Sequence, residues 1–344
     1  MVKLKDIAEY VGVSISTVSR VIKDDRSRSI NPETKRKVWD AVKELGYIPN
    51  INARNLASSQ NKHKEKRTMT IGWVANPKLA EMNPYFSNIF TGIDDTLSKL
   101  NYTLVNVYED ELKDQARLHK MVHESEIEGL ILVDKIDEEI INFINTYLPI
   151  VGLDFFYSEE SITIIDYDRI RAAKKAVEHL VEKGHRKIGF IGGGTGEKNE
   201  SLSSEKRYQG YRLGIEEAGI NLQEKWIINT KWSLDNSYEG MKKLLEAEQD
   251  LPTAMFCASD LMAIAAMRAV HEHNMKIPDD IAFVGIDNIE MSKYSNPPLT
   301  TINIPKYEIG ELAAKTIIDK VEGKLNLPVK ILLPFELIIR ESSG

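Results

Sequence analysis

The sequence predicts an α/β body of two doubly wound parallel-sheet lobes behind a small three-helix head. Three observations predict it. Short runs rich in Val and Ile recur along the body, and patterns of helical period separate them. Apolar strands alternating with helices indicate parallel sheets covered on both faces. The first 45 residues instead carry short amphipathic helices punctuated by Gly12 and Pro32. Charge divides at the same place: residues 1–67 hold 15 Lys+Arg against 8 Asp+Glu, a balance of +7, while the rest of the chain stands at −14. A basic head on an acidic body is the electrostatic footprint of a DNA reader whose other part does something else.

In the head, Leu4, Ile7, Ala8 and Val11 fall at i, i+3, i+4 and i+7 and give the first helix one apolar face. Gly12 marks the turn, because glycine takes φ > 0 without steric cost. The hydroxyl of Ser14 is placed to cap the second helix. That helix buries Val18, Val21 and Ile22, and turns Ile15, Ser16, Ser19 and Arg20 outward. Asn31-Pro32 opens a third helix, with a core stripe of Val38, Ala41, Val42 and Leu45, that stops at Gly46. Three helices with hydroxyls and an arginine on the second describe a helix-turn-helix. Next, Pro49 ends one element and Asn50 can cap another. Ala53, Leu56 and Ala57 share a face, but a helix of about seven residues is unstable alone and needs a second copy or DNA as partner. A flexible linker over 50–67 is the alternative.

The body's apolar runs are 69–75, 102–107, 129–133, 150–153, 162–165, 187–191, 253–257 and 281–286. Helical patterns lie over 85–100, 114–125, 138–147, 169–183, 204–218, 235–248 and 260–273. Open α/β sheets bind ligands beyond the carboxyl ends of their strands, which selects Asp154, Ser259, Asp260 and Asp287. Arg207 opens a helix, Trp232 stands in a polar loop, and Tyr85 and Phe86 follow Asn83-Pro84. Carboxylates accepting hydroxyls, an arginine donating to ring oxygens, and aromatics stacking on an apolar face suit a sugar. For each Asp alone the alternative is a helix N-cap, and for Trp232 it is partial core burial.

The single cysteine, Cys257, excludes an internal disulfide and suits a reducing cytoplasm. No signal peptide and no run of about 20 apolar residues is seen, so neither export nor membrane insertion is expected. Enzyme signatures are weak. Gly192–Lys198 is rich in glycine but lacks the phosphate-loop spacing, since Asn199 follows Lys198. His119 and His123 lie at i, i+4 without a third metal ligand. Ser201 and Ser204 have no evident His or Asp partners. Neither a catalytic role nor a cofactor is expected.

Leu4-Lys5-Asp6-Ile7-Ala8, Thr17-Val18-Ser19-Arg20-Val21 and Gly46-Tyr47-Ile48-Pro49-Asn50 resemble the head of the lactose/galactose repressor family of bacterial transcriptional regulators. In the body, Gly184-His185-Arg186-Lys187-Ile188, Ile277-Pro278-Asp279-Asp280-Ile281 and Pro297-Pro298-Leu299-Thr300-Thr301 extend the resemblance over the whole chain. It implies a helix-turn-helix domain over 1–48, a hinge helix and linker over 49–68, and a periplasmic-binding-protein-like core over 69–344. The core's N-lobe is expected at about 69–164 and 295–325, its C-lobe at about 165–294 and 326–344.

By position, the resemblance implies that Ile15, Ser16 and Arg20 read base edges. Thr17, Ser19 and Asn31 are implied to position phosphates, and Leu56 to wedge into the minor groove. Ser14, Asn50 and Ala53 complete the expected DNA-binding set. The expected effector contacts are Tyr85, Asp154, Arg207, Trp232, Ser259 and Asp287, with Ser259 where many members carry asparagine and Lys306 where the lactose repressor is aromatic. The implied protein is a cytoplasmic homodimer that represses sugar-utilisation genes at a near-palindromic operator and is released by a sugar. Asp154 and Asp287 would repel phosphate, so a neutral sugar is expected, and the core is most similar to galactoside-responsive members. The alternative within the family is a catabolite-control regulator whose corepressor is a protein.

Overall fold

The computed structural model describes residues 2–22, 29–45, 47, 68–75, 83–114, 117–118, 121, 126–133, 136–153, 162–194, 202–247 and 250–344. The chain forms two compact units. One gathers 1–80, 90–164 and 310–330, the other 81–89, 165–309 and 331–344.

The head is built from α1 (Leu4–Val11), α2 (Ile15–Ile22) and α3 (Pro32–Glu44). Ile7, Val18, Val38 and Ala41 are its buried centre. Trp39 and Tyr47, which helical periodicity does not place in the core stripe, are buried with them. Gly12 takes the left-handed conformation that ends α1, and its amide donates to the Ala8 carbonyl. Ser14 Oγ accepts the Thr17 amide at 3.1 Å, the expected cap of α2.

The first six-stranded sheet has the order β11-β5-β4-β3-β1-β2. Its strands are β1 (Thr70–Val74), β2 (Thr103–Asn106), β3 (Gly129–Leu132), β4 (Ile150–Leu153), β5 (Thr163–Tyr167) and β11 (Lys330–Leu333). The second runs β12-β10-β9-β8-β6-β7, with β6 (Ile188–Gly192), β7 (Ile227–Asn229), β8 (Ala254–Cys257), β9 (Ala282–Asp287), β10 (Thr300–Asn303) and β12 (Glu336–Ile338). The pairings of β6, β7, β8, β9 and β10 with one another are parallel, and β12 closes the edge antiparallel to β10. Every strand expected from the apolar runs is present. β7, β10, β11 and β12 have three or four residues each, and all but β10 are only partly buried, so they lack a continuous apolar run.

α4 (Pro84–Lys99) begins at Asn83, whose Oδ1 accepts the Tyr85 amide. The helix expected over 114–125 is described only at 114, 117, 118 and 121. Asp114 closes a short helix, α5 (Glu109–Lys113), and its Oδ1 accepts the Arg117 amide at 2.9 Å. Then come α6 (Glu138–Asn145), α7 (Arg169–Glu182), α8 (Lys206–Glu217), α9 (Leu234–Ala247), α10 (Asp260–Glu272) and α11 (Lys306–Val321). The last of these was not expected from the apolar pattern. Met241, Met255, Met267, Phe283 and Leu299 pack in the core of the second unit. There α7 and α8 touch at Gly210, where an added Cβ would run into the Ile170 carbonyl oxygen.

Candidate functional site

Two groups of residues draw attention. In the head, Ile15 is 48% exposed although apolar, and Ser14 and Ser16 are exposed beside it. Ser14 Oγ lies 2.8 Å from both Ser16 Oγ and Thr17 Oγ1, so three hydroxyls form one cluster at the start of α2. Ser19 and Arg20 are half-buried one turn further on, and Asn31 is exposed, its Oδ1 accepting the Glu33 amide at 2.9 Å. Ile15, Ser16 and Ser14 are thus presented together at the N-terminal end of the second helix, the end that enters a major groove in a helix-turn-helix. Asn50, Ala53 and Leu56 lie outside the described residues, as does Asp154.

The second group lies in the second unit, at the carboxyl ends of its strands. Asp287 is the last residue of β9, with φ 122 and 6% exposure. Asn288 follows at φ 50, so the chain turns through two positions that side chains seldom adopt. Burial pushes the Asp287 carboxyl up to about 6, against the pull of Arg207, Lys306, Arg169 and the Asp260 amide. Asp260 is fully buried in the first turn of α10; burial and the neighbouring Asp287 raise its pKa well above the usual carboxylate range. Its Oδ2 accepts the Ile289 amide at 2.9 Å.

Arg207 stands in the first turn of α8. Nε donates to Glu205 Oε1 at 2.8 Å, and Nη1 to the Ala258 carbonyl at 3.1 Å. Burial opposes its charge, but Glu205 and the surrounding acids hold its pKa above the ordinary value. Its guanidinium lies 4.4 Å from the ring centre of Trp232 and covers one face of that half-buried ring, which also packs against the core of the second unit. Trp232 lies at φ 60, its backbone amide donating a hydrogen bond to Thr230 Oγ1 at 3.2 Å, and its backbone nitrogen approaches Gly193 so closely that a Cβ there would sit 2.6 Å away. That close approach accounts for a glycine at Gly193 without any phosphate.

A second arginine mirrors the first. Arg169 forms a two-pronged pair with Asp166, with Nε to Oδ2 at 2.9 Å and Nη2 to Oδ1 at 3.1 Å. It lies 5.0 Å from the ring centre of Tyr167. Burial pulls the Arg169 pKa down to about 10. Two buried polar atoms have no hydrogen-bond partner among the described residues: the Tyr167 hydroxyl and the Trp232 indole Nε1. Orphaned groups of this kind are rare and call for a missing partner.

Several expectations need correction. Tyr85 is not an exposed aromatic but 6% accessible, in the first turn of α4 and edge-on to Phe86 at 5.0 Å. Burial raises the pKa of its hydroxyl, and Arg169 and Asp287 are among the charges it feels. Ser259 Oγ is engaged as the N-cap of α10, accepting the Met262 amide at 3.3 Å. Asp166, Tyr167, Arg169 and Glu205 were missed, although the first three lie at the end of β5 and just after it, where the rule about strand ends applies equally. His119, His123 and Ser201 lie outside the described residues. Among the described residues no group of three or more His, Cys, Asp or Glu is arranged to hold a metal. No helix among them is long and apolar enough to cross a membrane.

A helix-turn-helix head on parallel-sheet α/β units, with a buried polar site at the strand ends, is the build of a ligand-responsive DNA-binding regulator. Residues 3–50 match the bacterial regulatory proteins of the lacI family, and residues 177–343 match a periplasmic binding protein-like domain. The chain is similar to the HTH-type transcriptional repressor PurR of Aliivibrio salmonicida, with 33% identity over 94% of this chain and 93% of that protein. Among solved structures it resembles a complex of the transcriptional regulator CelR with cellobiose, at 28% identity, 99% and 100% coverage and a TM-score of 0.73. It also resembles the lac repressor dimer bound to operator and the anti-inducer ONPF, at 28% identity, 99% coverage of both chains and a TM-score of 0.67. The chain belongs to the lacI family. It is a DNA-binding transcriptional repressor and not an enzyme.

Proposed function

We propose that this repressor works as a homodimer, in the cytoplasm and on nucleoid DNA, at a near-palindromic operator of sugar-utilisation genes, and that a neutral sugar releases it. Two donors without a partner among the described residues carry this reading: Tyr167 Oη, which feels the Asp287 carboxyl, and the Nε1 of Trp232, whose ring lies against Arg207. A polyol offers oxygens to the donors and hydroxyl protons to the carboxylate. The charges support a neutral ligand. Asp166 balances Arg169, Glu205 balances Arg207, and Asp287 balances Lys306, so no net positive charge remains to attract a phosphate. Cellobiose in the solved CelR complex is a neutral sugar, which supports the same class. Within that class, the likeness of the core to galactoside-responsive members makes galactosides the first to test.

On this reading Ile15, Ser16 and Arg20 read bases, and Ser14, Thr17, Ser19 and Asn31 set the register on phosphates. Asn50, Ala53 and Leu56 serve the hinge. Arg207, Trp232, Asp287 and Asp154 hold the sugar, with Tyr85 and Ser259 supporting them. The domain division is 1–48, 49–68 and 69–344. Sugar and operator weaken each other's binding by the same factor, as linkage requires. The test is fluorescence anisotropy of promoter DNA from the gene's own neighbourhood, at fixed salt, with galactose, lactose, cellobiose and ribose. Specific binding released by one of them is the expected result. Binding unmoved by every sugar but tightened by a phosphorylated carrier protein overturns the sugar reading in favour of a protein corepressor.

A further inference from the structure

Lys306 opens α11 and is 8% exposed. Its ammonium donates to the carbonyl oxygens of Asp287, Asn288 (3.4 Å) and Ile304 (3.1 Å). An ammonium has three N–H donors, and three carbonyls take them, so the group has none left for a ligand. A buried ammonium is costly unless bonded and balanced. Burial lowers the Lys306 pKa, while Asp287, Asp260 and Glu308 support its charge. Two of its three acceptors belong to the turn with φ 122 and φ 50 that ends β9.

Other bonds hold that turn at its far side. The Asn288 amide donates to Thr301 Oγ1 at 3.2 Å, and Asn288 Nδ2 to Asn303 Oδ1 at 2.9 Å. Asn288 Oδ1 accepts Arg340 Nη2 at 2.7 Å. Each of these grips Asn288, whereas Lys306 grips the carbonyl of Asp287 itself. We propose that Lys306 is a positioning residue for effector recognition: clamped on three carbonyls, it fixes the left-handed end of β9 so that the Asp287 carboxyl faces the effector as an anion. The inference rests on the sugar reading for what Asp287 binds, but not for how Asp287 is held.

Charge acts alongside geometry. The groups that face Asp287 are Arg207 from α8, Arg169 from α7, Lys306 from α11, the carboxyl and amide of Asp260 at the start of α10, and the hydroxyls of Tyr85 and Tyr167. Removing one of three cations lets the carboxyl take its proton at a higher pH. A nearby opposite charge is worth about one pH unit or more.

The test compares the full-length wild type with Lys306→Gln, which keeps donors without the charge, and Lys306→Arg, which keeps the charge. Lactose and cellobiose binding is measured by calorimetry from pH 5 to 8. Wild-type affinity is expected to fall below a midpoint near 6. For Lys306→Gln the midpoint moves up by about one pH unit, and binding at pH 7 weakens about fivefold as ionisation and alignment are both lost. Lys306→Arg retains the midpoint with intermediate affinity. Equal affinity and an equal midpoint in Lys306→Gln overturn the proposal.

A sugar-free arm separates this from the sugar reading: the pH dependence of thermal unfolding, with Asp287→Asn marking the part that Asp287 contributes. If neither sugar binds the wild type, the sugar reading falls. The clamp still stands or falls on whether Lys306→Gln shifts that contribution to higher pH. If Lys306→Gln does not fold, a shifted midpoint in Lys306→Arg overturns the proposal and an unshifted one supports it.

Discussion

Asp287 and Tyr167 show how single groups are tuned. The Asp287 carboxyl titrates near 6 in the fold, against about 3.9 in an unfolded chain. The folded protein therefore holds this proton more tightly than the unfolded one. The charged carboxyl opposes folding above about pH 6, and the opposition fades as pH falls through 6 toward 4. Asp287→Asn is expected to raise Tm at pH 7.5 and to flatten the dependence of Tm on pH between 4 and 6, while weakening sugar binding about tenfold or more, since a hydrogen bond to a charged group is worth about 1.5–3 kcal/mol. Calorimetric scans and sugar titrations read the two effects separately. Tyr167→Phe deletes a buried hydroxyl that has no partner among the described residues. Without sugar it should leave stability unchanged or raise it by about 1 kcal/mol. With sugar it should lower affinity; unchanged sugar affinity would exclude the hydroxyl from the contact.

Helices and turns carry the next level. Ser14 caps α2, so Ser14→Ala should destabilise the head by about 1 kcal/mol, seen as an earlier loss of head helicity on heating. Gly210→Ala pushes a methyl into the Ile170 carbonyl and Ala173 at the contact of α7 with α8, an overpacking that costs about 1–3 kcal/mol. Because α7 carries Arg169 and α8 carries Arg207, its sugar affinity should fall as well, in contrast to Ser14→Ala. At this scale the sequence was readable where a periodicity was strong. Buried strands such as Ile188–Gly192 show five apolar or glycine residues in a row. β11, with alternating exposure, and α11, whose sides are buried nearly all round, have no such signature. The rule about strand ends found Asp287 and the start of α10. It would have found Asp166 and Arg169 had it been carried to β5, whereas Glu205 follows no strand and offered no signal.

For the whole molecule, the basic head on an acidic body sets how binding responds to salt. Operator affinity should fall linearly with salt on logarithmic axes, with a slope of about −0.9 per phosphate contacted by Lys or Arg. Ser16→Ala should relax base preference without changing that slope, whereas loss of a lysine or arginine on phosphate reduces it by about one. Anisotropy titrations between low and physiological salt distinguish them. A slope that is the same for operator and random DNA, at equal affinity, would show that the head reads no sequence. The two sheets share one strand order, an outer pair out of sequence followed by consecutive strands, so each offers a binding crevice where the order reverses. In the second unit that crevice lies beside β6 and β8, next to Gly193, Ala258 and Trp232.

The sequence by itself determined the helix-turn-helix, the alternating strands and helices, the charge division and the polar residues that follow β8 and β9. These depend on local periodicity and on turn residues, which neighbours in the chain specify. Only the tertiary structure decided which of those groups are already engaged. Ser259 is a cap, Tyr85 is buried, and Arg169 and Arg207 each have a carboxylate of their own. It also decided that Lys306 turns onto three carbonyls rather than toward a ligand. Burial and hydrogen-bond satisfaction depend on residues far apart in the chain, as with Lys306 and Asp287, and no spacing within one element records them.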